Sequence, residues 1–212
     1  TYGDGGAGFD DDENEAALAK LQPLNLYGWS KHAIDKFIAR EIARGATTPP
    51  QWAGLKFFNV YGPNEYHKGS MKSVIAQSYP KIAAGEAVTL FKSHNPDYED
   101  GGQLRDFVYV KDCVDVVLWL LDNGSVSGLF NLGTGKARSF KDLAAATFKA
   151  ANKPEKITYI DTPAQIRDKY QYYTEANMQK LRAAGFGGNF HSLEDGISDY
   201  VTNYLAKDDP YR

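Results

Sequence analysis

"RDFVYVKDCVDVVLWLLDNGSVSGLFNLGTG", residues 105–135, decides the fold class. Its first residues, aromatic and β-branched, read as a short strand. From about 111 to 122 the pattern becomes that of an amphipathic helix, which contains the apolar run "VVLWLL" (116–121). "GLFNLGTG" (128–135) then reads as a second strand. The same alternation extends outward in both directions. Upstream, "PLNLYGWSKHAIDKFIAREIARG" (23–45) predicts a helix, with Ile34, Phe37, Ile38 and Ile42 at three- and four-residue spacing and Gly45 as its stop. "WAGLKFFNVYG" (52–62) predicts one strand closed by Gly-Pro, followed by a helix over about 70–84, a short strand "VTLF" (88–91) and a loop (93–102). Downstream come a helix N-capped by Ser139, a last strand "ITYID" (157–161) and two helices near 175–184 and 192–206. Strands alternating with helices indicate an α/β fold with a largely parallel sheet.

Composition narrows the class of function. Of 212 residues, 42% are hydrophobic and 13% aromatic, enough for a packed core and too many for a disordered chain. The net charge of −3 carries no basic stripe, which argues against nucleic acid or anionic lipid as partner. The acidic residues concentrate in "DGGAGFDDDENE" (4–15), which reads as a solvated surface loop rather than a metal site. One cysteine, Cys113, excludes an internal disulfide and suits a reducing compartment. No apolar run approaches 18 residues and no signal peptide is visible, so "NGS" (123–125) is not taken as a glycosylation site and the expected location is cytoplasmic.

Three local patterns could carry chemistry. Tyr27 and Lys31 stand at i and i+4 on the predicted helix and share a face, about 6 Å apart along its axis. An ammonium beside a phenol favours the phenolate, and such a tyrosine can serve as general base on an alcohol. By spacing alone the signal is weak, because Tyr-x-x-x-Lys also arises by chance. His67 and Lys68, in "YGPNEYHKGSMKS" (61–73), lie between a strand and a helix. Lys68 is either a solvated loop charge or an ammonium aimed at a ligand. "GTGKAR" (133–138) opens a helix after a strand but lacks the third glycine of a dinucleotide fingerprint, so it reads as a tight turn.

Taken together, "LYGWSK", "FFNVYGPN", "LRDFVYVKDCVDVV" and "FNLGTGKARSF" resemble, in order, segments of the extended short-chain dehydrogenase/reductase family, which oxidises, epimerises or dehydrates nucleotide sugars. The resemblance covers nearly the whole chain. It implies the C-terminal portion of a Rossmann-type fold with a smaller mixed α/β substrate-binding domain. Residues 1–62 would then belong to the cofactor domain, and 63–212 mainly to the substrate domain. "YGPNEYHKGSM" is most similar to a branch that epimerises C6″ of an ADP-linked heptose, for the lipopolysaccharide inner core, with tightly bound NADP. In that branch Lys68 would be a second catalytic base opposite Tyr27.

The same resemblance places Lys31, Val60 and Lys68 against the cofactor. It places Asn59, Ser70, Gln77, Phe91, Lys92, Ser93, His94, Arg105 and Tyr170 against the substrate. Gln77 departs from the histidine usual at its position. The resemblance also implies a homo-oligomer. The family's first strand-helix-strand unit and its catalytic serine have no counterpart here, so the 212 residues by themselves are expected to bind little cofactor and turn nothing over. Competing readings are a UDP-hexose 4-epimerase, a 4,6-dehydratase, or a non-catalytic nucleotide-sugar binding module.

Overall fold

Residues 104–109 are buried almost throughout because the strand they form is covered on both faces. Phe107 and Tyr109 enter one apolar cluster and Val108 another, as the period-two alternation of strand side chains requires. This strand lies at the centre of a computed structural model that describes residues 1–167, 170–209 and 211. Lys169, within the stretch "KYQYY", is outside the described residues.

The chain begins with helices α1 (Glu15–Leu18) and α2 (Leu26–Ala43), then strands β1 (Ala53–Phe57) and β2 (Asn59–Tyr61). A 3-10 turn (Tyr66–Met71) leads into α3 (Val74–Ala83), β3 (Val88–Phe91), β4 (Leu104–Tyr109) and α4 (Val110–Asp122). Then follow β5 (Gly128–Leu132), β6 (Ala137–Ser139), α5 (Phe140–Ala150), β7 (Ile157–Ile160) and α6 (Ala164–Arg167). The chain closes with α7 (Gln179–Ala183), α8 (Leu193–Tyr200) and a π-helical turn (Val201–Leu205). β1 pairs with β5, β2 with β4 and β3 with β7, all parallel, and β6 pairs antiparallel with β4. The α/β class with parallel pairing is therefore as the sequence predicts.

The helices pack where their apolar faces can be covered. α5 and α8 cover one face of β2 and β4 through Leu143, Ile197 and Tyr200. α4 and α7 cover the other with Val116, Leu120 and Leu181. Ser139 caps α5 as expected, and Asp142 returns the bond in a full capping box.

Several expectations are corrected. The run 52–62 is not one strand. Its Phe58 N–H donates to Leu132 O (3.0 Å), Val60 N–H folds back to Phe58 O (3.0 Å), and from Asn59 the chain pairs with β4 instead of β5. The helix placed at 70–84 begins only at Val74, where Ser73 caps it, and Gly69, with φ +56°, kinks the 3-10 turn that precedes it. Only 179–183 of the span 175–184 is helical, and β6 was not anticipated.

The acidic segment is more than a solvated loop. Asp11, 5% exposed, accepts the Asn131 N–H (2.8 Å), and Glu13 accepts the Leu129 N–H (2.6 Å) and pairs with Lys180 (2.8 Å). Two alternate carboxylates thus take the place of a neighbouring strand along the free edge of β5.

The apolar spacing on α2 does not mark a packed core either. Ile34 and Phe37 are 53% and 63% exposed, while the buried positions of the helix are Gly28 and His32. What holds α2 to β1 is an ion pair, Lys56 Nζ to Asp35 at 2.6 Å, with both side chains largely buried.

Candidate active site

The face of α2 that carries Tyr27 and Lys31 also carries Ile34, Ile38 and Ile42, and all five line a cavity of about 710 Å³ bounded below by β1. The helix starts where it does because Asn25 accepts the Gly28 N–H (2.8 Å), which leaves Tyr27 in the first turn. Lys31 Nζ lies 5.3 Å from the centroid of the Tyr27 ring, within cation–π range. Both side chains are exposed to the cavity mouth. Asn59, the first residue after the strand changes partner, lines the same cavity, and Val60 beside it is half-buried against the α4 cluster.

A second cavity, of about 410 Å³, lies between α3, β3 and α5. Gln77, Phe91 and Tyr170 line it, together with Lys81, Gln103 and Phe140. Behind its wall sits Arg105, its guanidinium 5.8 Å from the Phe140 ring and 5.5 Å from the Tyr170 ring. Arg105 donates to Leu104 O (2.7 Å) and to Gln171 O. Burial lowers its pKa from the ordinary value, and it raises that of the Tyr170 phenol, against which the Arg105 charge works in the other direction. Tyr170 faces this second cavity while its neighbour Gln171 lines the first, so one strand of chain borders both.

The remaining candidates fall elsewhere. Lys68 and Ser70 are exposed on the turn before α3, and neither lines either of these two cavities; the ammonium is not buried. Of the four residues 91–94, only Phe91 lines the second cavity. The others are engaged within the protein: Lys92 pairs with Asp161 (3.4 Å), Ser93 donates to Asn95 O (2.7 Å), and His94 Nε2 accepts the Thr162 N–H (3.3 Å). Gln77 borders the cavity, but its amide donates to Ser70 O (3.1 Å) and Lys72 O (2.6 Å), a role the sequence reading missed. Lys81 was missed as well, although its i+4 spacing from Gln77 on α3 was available.

The turn "GTGKAR" is held from below by Asp106, whose carboxylate accepts the Thr134 and Gly135 N–H groups at 2.7 and 2.9 Å. Among the described residues, no group of three or more His, Cys, Asp or Glu is placed to hold a metal ion. No helix among them is long and apolar enough to cross a membrane.

Residues 1–133, which include α2, the partner-changing strand and β4–α4–β5, match the NAD dependent epimerase/dehydratase family. The chain belongs to that family. Among curated members, the ADP-L-glycero-D-manno-heptose-6-epimerase of Nitratidesulfovibrio vulgaris (strain DP4) is 54% identical over 211 residues, spanning all of this chain and 63% of the relative. The chain thus covers somewhat less than two thirds of that epimerase's length. Among solved structures, the ADP-L-glycero-D-manno-heptose-6-epimerase of Helicobacter pylori is 28% identical with a TM-score of 0.66, covering 86% of this chain and 52% of that one. The Thermus thermophilus UDP-glucose 4-epimerase, solved with NAD, is 25% identical with the same TM-score of 0.66, covering 85% and 54%. As a family member, this chain presents Tyr27 and Lys31 on a large cavity and an arginine with two aromatic rings at a smaller one.

Proposed function

We propose that the protein epimerises C6″ of ADP-D-glycero-D-manno-heptose to the L-glycero form, using a bound nicotinamide cofactor, NADP, that is regenerated in each turnover. The geometric support is the Tyr27–Lys31 pair: an ammonium 5.3 Å from a phenol ring, on one helix face, at a cavity of about 710 Å³ that can admit both a cofactor end and a sugar. The sugar is suggested by the 54% identity to a relative named for it. When bound, the nicotinamide supplies an oxidant for the alcohol and returns the same electrons to the other face of the resulting carbonyl.

On this reading Tyr27 removes the proton from the hydroxyl oxygen as the carbon is oxidised. Lys31 would hold the cofactor beside it, and Val60 would add an apolar contact. Inversion brings the oxygen to a different place, where one acid/base group cannot serve both faces, and Lys68 is the second. Arg105 grips the diphosphate, a task suited to a guanidinium fork. Asn59, Ser70, Phe91 and Tyr170 line the path of the nucleotide sugar. Residues 1–62 bear on the cofactor and 63–212 mainly on the substrate.

The test is an inversion assay on the full-length gene product with ADP-D-glycero-D-manno-heptose. The expected result is the L-glycero epimer without net consumption of cofactor. Tyr27→Phe and Lys68→Met should each lower kcat by about 10²–10⁴-fold. Unchanged rates in both variants would sink the two-base assignment. No product from folded, cofactor-loaded protein would reject the heptose and turn the search to UDP- and dTDP-hexoses.

A further inference from the structure

Lys68 stands on an exposed loop, yet inversion asks for an ammonium held in register with a reacting oxygen. Nothing at its own tip supplies that register: among the described residues its side chain makes no hydrogen bond or ion pair. The loop that carries it is held instead by two residues outside the turn, Glu65 and Gln77. Glu65, 4% exposed, sits at the loop's entrance, and its main-chain oxygen accepts the Lys68 N–H (3.0 Å). Its carboxylate reaches across to the loop's exit. One oxygen accepts the Ser73 N–H (2.6 Å), and the other accepts the Ser73 hydroxyl (2.5 Å) and the hydroxyl of Tyr200 (3.0 Å), which is wholly buried in α8. Gln77, one turn into α3, donates to the carbonyls of Ser70 and Lys72. The two ends of the segment 66–72 are thus clipped together and its exit strand is tied to a helix. Residues 67–71 themselves remain exposed, with Gly69 at φ +56°.

We propose that Glu65 and Gln77 are positioning residues that hold the Lys68 loop in the geometry the second acid/base step needs, and that Gln77 acts through the loop rather than by touching substrate. This rests on the assignment of Lys68 made above. An exposed seven-residue loop has little buried apolar surface to order it, so a few hydrogen bonds decide how much of the time it is in place. Displacing a catalytic group by about 1 Å can cost on the order of a hundredfold in rate.

The decisive variant is Gln77→Glu in the full-length gene product. It keeps the shape of an exposed side chain but turns a donor shared by two carbonyls into an acceptor facing them, so the fold is not at risk. Glu65→Ala removes the other half of the clip. Glu65→Gln restores most of it, because the Ser73 and Tyr200 hydroxyls can rotate to accept. Two readouts are needed. Amide hydrogen exchange over 66–73, with tryptic cleavage after Lys68 and Lys72, reports loop order without any substrate. Steady-state kinetics with ADP-D-glycero-D-manno-heptose separates kcat from KM.

The expected result for Gln77→Glu is exchange and cleavage faster by about fivefold or more. A kcat lower by roughly ten- to a hundredfold should accompany it, with KM nearly unchanged. Glu65→Ala should behave alike and Glu65→Gln should recover. Unchanged exchange and cleavage in Gln77→Glu would overturn the clip. So would a raised KM at unchanged exchange, which would mark Gln77 as a substrate contact. If the unmodified protein does not turn over the heptose, the functional reading fails, while the exchange comparison still decides whether the clip exists.

Discussion

Asp106 is the residue whose removal tests the packing logic most directly. It is fully buried, and its carboxylate joins three segments that are distant in sequence. One oxygen accepts from the Thr134 N–H and hydroxyl, both at 2.7 Å; the other accepts from the Gly135 N–H (2.9 Å) and the Ala176 N–H (3.0 Å). Asp106→Ala leaves three N–H groups without an acceptor. The Ala176 donor is deeply buried and costs about 1–3 kcal/mol; those of Thr134 and Gly135 are half-buried, can reach water, and cost about 1 kcal/mol each. The sum is roughly 3–5 kcal/mol, a large part of the ~5–15 kcal/mol by which domains are stable.

Asp106→Asn offers one oxygen in place of two and turns an NH₂ toward two donors, so about 2 kcal/mol or more should still be lost. Urea unfolding followed by circular dichroism measures both variants, and the alanine midpoint should fall by about 1 M or more at unchanged slope. The same carboxylate accepts the Ala176 N–H, a few residues beyond the Gln171 carbonyl that Arg105 engages, so on the function proposed above nucleotide-sugar affinity should fall with it. A loss below about 1 kcal/mol for Asp106→Ala, or none for Asp106→Asn, would refute the account of a four-bond acceptor site.

Other consequences follow from the same contacts. Gly196→Ala would set a Cβ 2.2 Å from the Tyr61 hydroxyl, where α8 meets β2, and should lower Tm by roughly 2–10 °C in a thermal melt; an unchanged Tm would show that Tyr61 gives way freely. Burial works against ionisation of Asp199, but hydrogen bonds from Lys111, Tyr109 and Asn203 outweigh it and hold its pKa at about 2, below the usual 3.8. Its contribution to stability is therefore present above about pH 4 and lost as pH falls toward 2, and Asp199→Asn should flatten that part of the stability–pH curve. Burial also pushes the Cys113 thiol up to about 12, so iodoacetamide at pH 8 should leave the native protein unmodified and label it once urea unfolds it.

Much of this molecule was legible because it is written in interactions between near neighbours. The alternation of strand and helix, the Ser139 cap and the Tyr27–Lys31 face all depend on residues within a turn or two of one another, where spacing alone sets geometry. The shared face of Tyr27 and Lys31 needed no more than 3.6 residues per turn. Family membership was legible for a related reason, since it rests on the order of short motifs along the chain. What the tertiary structure decided concerns partners far apart in sequence. No local pattern says that Phe58 ends one pairing and Asn59 begins another, because each half of that run is an ordinary strand and the choice belongs to β5 and β4.

Charged residues were the least legible. Asp11 and Glu13 read as solvated until the edge of β5 offered them N–H groups, and the two carbonyls that the Gln77 amide engages came into reach only with the folded loop before α3. A polar side chain takes whichever partner the fold brings within about 3 Å. Its role is therefore a property of the folded neighbourhood, while the period of an apolar stripe is already present in the unfolded chain.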